Sequence, residues 1–371
     1  MKKEWILLSV TVLVTAALFL SLIRWLAPQL VGIPIDMRLV QVSKTMPPFF
    51  DGVFRKEDYA TQELLLKDPY TNVRFRPLLR AVSGEGPHDI LGFRNLGIPN
   101  TADIITLGDS QTYGLGEPLE KNWPSQLGDE LNESGQKQST VYSMAVGGWA
   151  GVQYLDMFPK AALLNPDIVV VAFYSGNDPL ESFSMAYGLS QWDSLRVDAE
   201  LTSSDVPKIG PGLSVEDSWK ATFKDGIESR FMPKKRLAVN DSDYPAVRAG
   251  YEIMAEVSRR IMALAAEHEI TVVFTVIPTR ELVYAKKVEA DKLIAPEPYQ
   301  RLVLLESENI ERLASAIRAS QGAIYVDLVQ PMQLAAISRT PLYPRKWDGH
   351  PGAEGYTVIS KVLATALEPL L

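Results

Sequence analysis

From about residue 101 the chain alternates short continuous apolar runs with longer stretches of helical periodicity. The apolar runs lie at 103–107, 140–145, 167–174, 271–277 and 323–328. The third is apolar and β-branched without polar alternation, the pattern of a strand buried on both faces of a parallel sheet. Between the runs, helices are predicted at 123–131, 151–164, 245–268, 298–320 and 353–370. In the third of these, Val247, Tyr251, Met254, Val257, Ile261, Leu264 and Ala265 recur at helical spacing. Pro245 suits a first-turn position, and Gly322 suits the residue just past a helix end. Pro159 should kink or end the second helix. Five strands joined by helical crossovers predict right-handed connections and a parallel sheet covered on both faces. The expected fold class is thus α/β, a three-layer α/β/α sandwich with a five-stranded, mainly parallel sheet.

The first hundred residues follow a different pattern. Residues 5–23 form a run of 19 without charge, flanked by Lys2, Lys3 and Glu4 before it and Arg24 after it. A helix of that length spans about 28 Å, close to the bilayer hydrocarbon thickness. Trp5 and Trp25 sit where interfacial anchors belong. A cleaved signal peptide is the competing reading, but no small-residue cleavage site follows the run. One N-terminal transmembrane helix in residues 1–25 is therefore expected, making a single-pass cell-membrane protein. The rest of the chain would face away from the cytoplasm, in the periplasm or at the cell surface. Residues 26–98 have no strong periodicity and read as an extracytoplasmic stalk and lead-in, with one short helix at 60–67. The segment 91–95 is expected to pack on the edge of the following domain. That domain, 99–371, is interrupted at 179–243 by a polar, Gly/Pro-punctuated insertion, the kind of long segment that is usually functional. We expect it to form a cap or side wall. Its Lys234-Lys235-Arg236 triplet reads as a solvated patch.

Composition narrows the chemistry. A net charge of −8 argues against a nucleic-acid-binding surface. The absence of cysteine excludes disulfides and thiolate metal sites. The only histidines are His88, His268 and His350, too few for a His-rich metal centre. His268 is explained by its place at a helix C-terminus, and His88, ahead of the domain, is expected at the surface.

Three predicted strand ends carry unusual residues: Gly108-Asp109-Ser110, Gly147-Gly148 and Gly176-Asn177-Asp178. Parallel strands present their carboxyl ends on one edge, where open α/β sheets bind ligands. A further cluster, Trp347-Asp348-Gly349-His350-Pro351, comes near the C-terminus. Acyl transfer by a serine needs an activated hydroxyl, a base, a group that orients the base, and oxyanion donors. Ser110, His350 and Asp348 fill the first three roles. The backbone N–H groups of Ser110 and Gly148 and the amide of Asn177 can supply the donors. Each piece has a plainer alternative: Ser110 or Asn177 as a helix cap, and Asp348-Gly349 as a turn. Gln111, Tyr113, Trp149 and Tyr174 read as packing or site-wall residues.

The order Gly-Asp-Ser, Gly, Gly-Asn-Asp, then Asp and His resembles the SGNH hydrolases, also called GDSL esterases. The resemblance covers residues 90–371 and implies an SGNH/flavodoxin-like sheet. It also implies Ser110 as nucleophile, Gly148 and Asn177 as oxyanion-hole residues, His350 as base and Asp348 as its acidic partner. One residue separates Asp348 from His350, whereas the commonest form of the motif has two. Positions i and i+2 of an extended segment share a face, so this spacing still permits the pair. The expected activity is hydrolysis of acyl esters, short-chain ones such as acetyl, on a carbohydrate or lipid of the cell envelope. O-acetyl transfer to an extracytoplasmic polysaccharide, or a non-catalytic binding role, are the alternatives. No metal or organic cofactor is required.

Overall fold

The computed structural model describes residues 65–79, 85–134, 138–207, 218–338, 340–343 and 349–371. The expected anchor at 5–23 lies outside these residues. Among the described residues, no helix is long and apolar enough to cross a membrane.

The strands are β1 (Leu65–Asp68), β2 (Asn72–Phe75), β3 (Ile104–Gly108), β4 (Val141–Ala145), β5 (Ile168–Tyr174), β6 (Trp219–Thr222), β7 (Glu228–Phe231), β8 (Thr271–Ile277) and β9 (Ile324–Val326). The helices are α1 (Ser110–Tyr113), α2 (Trp123–Ser134), α3 (Gly151–Ala162), α4 (Asp178–Gly188), α5 (Pro233–Asn240), α6 (Pro245–His268), α7 (Arg280–Val283), α8 (Ala285–Ala290), α9 (Glu297–Arg318), α10 (Val329–Ile337) and α11 (Ala353–Leu367).

The central sheet has the order β4-β3-β5-β8-β9, and each pairing is parallel. In order of appearance this is 2-1-3-4-5, the flavodoxin-like arrangement, whose topological switch point lies between the first and third strands. Those strands are β3 and β5. Strand periodicity divides the core: Val169, Val171 and Phe173 of β5 face one apolar layer with α3 and α6. Ile168, Val170, Ala172 and Tyr174 face the other, with α2 and α11. All seven residues of β5 are buried, as its unbroken apolar run predicts.

One local expectation is corrected. Residues 65–67 belong to β1 of an antiparallel hairpin with β2, not to a helix. The Asp68 carboxylate accepts from the backbone N–H of Tyr70 and Thr71 at 2.9 Å, and this Asx turn closes the hairpin. The described parts of the insertion form regular elements. Leu180, Phe183 and Tyr187 form an apolar stripe that folds its first part into α4 against α6. The hairpin β6–β7 packs Trp219 and Phe231 on Tyr299 of α9.

The lead-in residues 85–98 close the free edge of the sheet. Asn95 Oδ1 accepts from Ser143 N at 3.0 Å, and its Nδ2 donates to Ser143 O at 2.9 Å, so one side chain pairs the exposed ladder of β4. Asp89 accepts from the Tyr142 hydroxyl at 2.7 Å and from the Leu91 and Phe93 N–H groups. Phe93 meets Tyr142 and Trp149 edge-on.

Candidate active site

Strand β3 delivers the serine. A Cβ on Gly108 would lie 2.0 Å from Thr112 Oγ1, so glycine is required by the close return of α1 onto the strand end. Positive φ is not the reason, as Gly108 is not among the positive-φ glycines. The cap of α1 is Asp109: its Oδ1 accepts from Gln111 N at 2.8 Å. Ser110 is thereby relieved of capping. Its Oγ lies 2.9 Å from His350 Nε2, across 240 positions of sequence. The contact from Ser110 Oγ to Asp109 Oδ2 is longer, at 3.4 Å. A base that accepts the serine proton at Nε2 carries its own proton on Nδ1, where an orienting carboxylate binds. Asp348, assigned that role from sequence, lies outside the described residues.

His350 is held by the turn ahead of α11. Gly349 has φ +84, a conformation glycine adopts without strain. Gly352 N donates to Leu342 O at 2.9 Å. A Cβ on Gly355 would meet that same carbonyl at 2.4 Å, which fixes α11 against residue 342.

Asn177 follows β5 at the N-cap of α4, but its side chain makes no capping bond. Its Oδ1 is buried and has no partner among the described residues. Asp178 takes over the local work, accepting at Oδ2 from Tyr174 N at 3.1 Å and the Tyr154 hydroxyl at 3.0 Å. Gly176 is required because a Cβ there would stand 2.3 Å from the Tyr174 ring. Gly250 lets α6 press on the first turn of α4, since a Cβ would come within 2.0 Å of Pro179 O. After β4, Gly147 and Gly148 play different parts. A Cβ on Gly147 would contact Phe75 at 3.4 Å and Ser110 at 3.7 Å. Gly148 has φ +82 and open space beside it.

Buried carboxyls surround this edge. Burial raises Asp109 to about 7, against the bond from Gln111 N. Asp178 is raised well above its ordinary value by burial and then by Asp109. Behind the Asn177 loop, Glu306 of α9 is fully buried and is raised to about 7 by burial. It accepts from Ser175 Oγ at 2.5 Å, and from Thr279 N at 2.8 Å and Thr279 Oγ1 at 2.6 Å. Sequence reasoning missed Glu306. Its signal was a charged residue on the apolar stripe Leu302, Ile310, Leu313 and Ile317.

Two other expectations are corrected. His88 is 4% exposed, not at the surface. Its Nε2 lies 2.8 Å from the Tyr113 hydroxyl and its Nδ1 2.7 Å from Arg76 O. Burial depresses it to about 4, with the Arg76 carbonyl opposing and Arg94 assisting. Arg94 in turn donates to the carbonyls of Tyr113 and Gly114 and so finishes α1. Arg236 is not a solvated charge: it is half-buried, and its Nη1 donates to Gly176 O at 2.8 Å. Gln111, Tyr113, Trp149 and Tyr174 are buried, as expected of packing residues.

Fold and site together are a 2-1-3-4-5 parallel sheet whose carboxyl edge holds a hydrogen-bonded Ser–His pair, with Gly and Asn on the neighbouring strand ends. No family model matches the chain. It is 32% identical over 80 residues to a Vibrio mimicus protein named arylesterase, a stretch of 22% of this chain and 40% of that one. The chain thus spans less than half the length of that curated relative. Among solved structures, it is similar to the lipase Lip_vut3 from a goat rumen metagenome, at 13% identity and TM-score 0.42, covering 72% of this chain and 97% of that one. It is also similar to a catalytic mutant of an acetylxylan esterase from Geobacillus stearothermophilus, at 10% identity and TM-score 0.40, covering 72% and 93%.

Proposed function

We propose that the chain is a serine esterase that hydrolyses short acyl esters, such as acetyl, of a carbohydrate or lipid at the cell envelope. The observation that carries this reading is the 2.9 Å contact between Ser110 Oγ and His350 Nε2 at the switch point of the sheet. The Vibrio mimicus similarity, to a protein named arylesterase, supports it. In the proposed reaction His350 takes the Ser110 proton as Oγ attacks the ester carbonyl. Asp348 orients the imidazole and stabilises its cation. The Ser110 and Gly148 N–H groups and the Asn177 amide receive the oxyanion, each worth about 3 kcal/mol when well aligned. His350 then protonates the leaving alkoxide, and the C–O bond to the alcohol breaks. Water attacks the acyl-serine and gives its proton to His350; the bond from the acyl carbon to Ser110 Oγ then breaks, His350 returns the proton to Oγ, and the carboxylic acid leaves.

The organisation we propose is an anchor in residues 1–25, a lead-in at 26–98 and the hydrolase domain at 99–371, with the site outside the cytoplasmic membrane. The support is the uncharged run at 5–23.

The test is fluorophosphonate labelling of the full chain, mapping of the modified residue, and turnover of p-nitrophenyl acetate. Labelling at Ser110, with both signals lost in Ser110→Ala, is expected. Labelling elsewhere, or wild-type turnover in Ser110→Ala, defeats the proposal. Product analysis with an acetylated glycan and a second glycan as acceptor separates hydrolysis from acetyl transfer.

A further inference from the structure

The insertion sends one cation to the catalytic edge. Arg236 lies on α5, and two of its nitrogens reach two different parts of the site. Nη1 donates to the Gly176 carbonyl at 2.8 Å. That carbonyl belongs to the peptide whose N–H is on Asn177, so the bond sets the plane from which the Asn177 side chain departs. Nη2 lies 2.7 Å from where a Cβ on Gly349 would stand. The guanidinium therefore rests on the backbone directly ahead of His350. Its carbon also sits 5.4 Å from the centre of the Tyr174 ring. The same helix holds the loop at a second point: Asn240 Nδ2 donates to Ser175 O at 3.0 Å and to Arg236 O at 3.1 Å. Asn240 is itself fixed by the Tyr251 hydroxyl of α6 at 2.6 Å.

We propose that Arg236 is a positioning residue, which fastens the Asn177 loop to the turn that carries His350 and so keeps oxyanion donor and base in register. The inference rests on the esterase reading above. A planar fork suits this task because it presents several donors in fixed directions, which a lysine ammonium does not. Gly349 follows from it: any side chain there would displace the guanidinium.

The experiment compares wild type, Arg236→Ala and Arg236→Lys with p-nitrophenyl acetate, with and without added guanidinium ion at low millimolar concentration. Misplacement of catalytic groups by about 1 Å costs roughly 100-fold. We expect kcat to fall about 10- to 100-fold in Arg236→Ala, with KM within about twofold and partial recovery of kcat by guanidinium. Arg236→Lys, which keeps charge and stem, should lose kcat at unchanged KM, and it decides the case if the alanine variant does not fold. Wild-type kcat in either folded variant, a change confined to KM, or no recovery by guanidinium overturns the proposal. Ser110→Ala, measured in parallel, keeps the two readings apart. If wild type turns over and Arg236→Ala matches it, only the positioning role fails. If Ser110→Ala matches wild type, the esterase reading fails and this inference goes with it.

Discussion

Asn177→Ala separates catalysis from folding. An asparagine at a helix N-cap contributes about 1 kcal/mol when its side chain caps the helix. Here it does not cap, and Asp178 ties the turn instead. The buried Asn177 Oδ1 has no partner among the described residues, and an unsatisfied buried polar atom costs about 1–3 kcal/mol. Truncation to alanine removes that burden, so stability should hold or rise. For a domain of this size 1 kcal/mol moves Tm by about 2–4 °C. Tm is therefore expected at, or a few degrees above, the wild-type value. If the amide serves the oxyanion, loss of one such donor lowers kcat by about 10²–10³, or about 3–4 kcal/mol. Steady-state turnover of p-nitrophenyl acetate and a thermal melt on the same preparation read both quantities. A kcat within threefold of wild type, together with a Tm several degrees lower, would show that Asn177 is structural and refute the reasoning.

Ser110→Ala should reduce kcat by on the order of 10⁴-fold or more without moving Tm, because the cap of α1 is Asp109; initial rates and a melt check this. Gly108→Ala drives a Cβ into Thr112 and should destabilise the domain by about 1–3 kcal/mol, seen as a lower denaturant midpoint. Glu306 is raised to about 7 by burial, so between about pH 4.5 and 7 the folded chain holds a proton that the unfolded chain releases. Its contribution is full below that window and is lost as pH rises through it, on the order of 3 kcal/mol. Wild type should therefore lose stability relative to Glu306→Gln from pH 5 to 7.5, and parallel denaturation curves would exclude this. His88, depressed to about 4, should show no ring titration by NMR between pH 5 and 8.

The proposed chemistry depends on groups that different strands bring to one edge, and the relation of sequence to structure follows that division. The α/β alternation was legible because burial on both faces leaves an unbroken apolar run, as in β5, and helical spacing marks α6 to the residue. The motif residues Ser110 and His350 were legible because the chemistry restricts their type. Their 2.9 Å meeting was not, since 240 positions separate them.

Local signals failed where long-range packing overrode them. His88 looked like a surface histidine, yet Phe75 stacks on it at 5.0 Å and Tyr113 meets it edge-on at 5.6 Å. Arg236 looked like one of three solvated cations, until α5 laid it under Gly176.

The sequence by itself determined the alternation of elements, the residue types at each strand end and the order in which they appear, because periodicity and turn chemistry act over a few residues. Tertiary structure alone decided the strand order 2-1-3-4-5, the burial of Glu306 and the placing of Arg236 against Gly176. Those outcomes depend on contacts between segments far apart in the chain, whose closeness is a property of the packed core and not of any local run of residues.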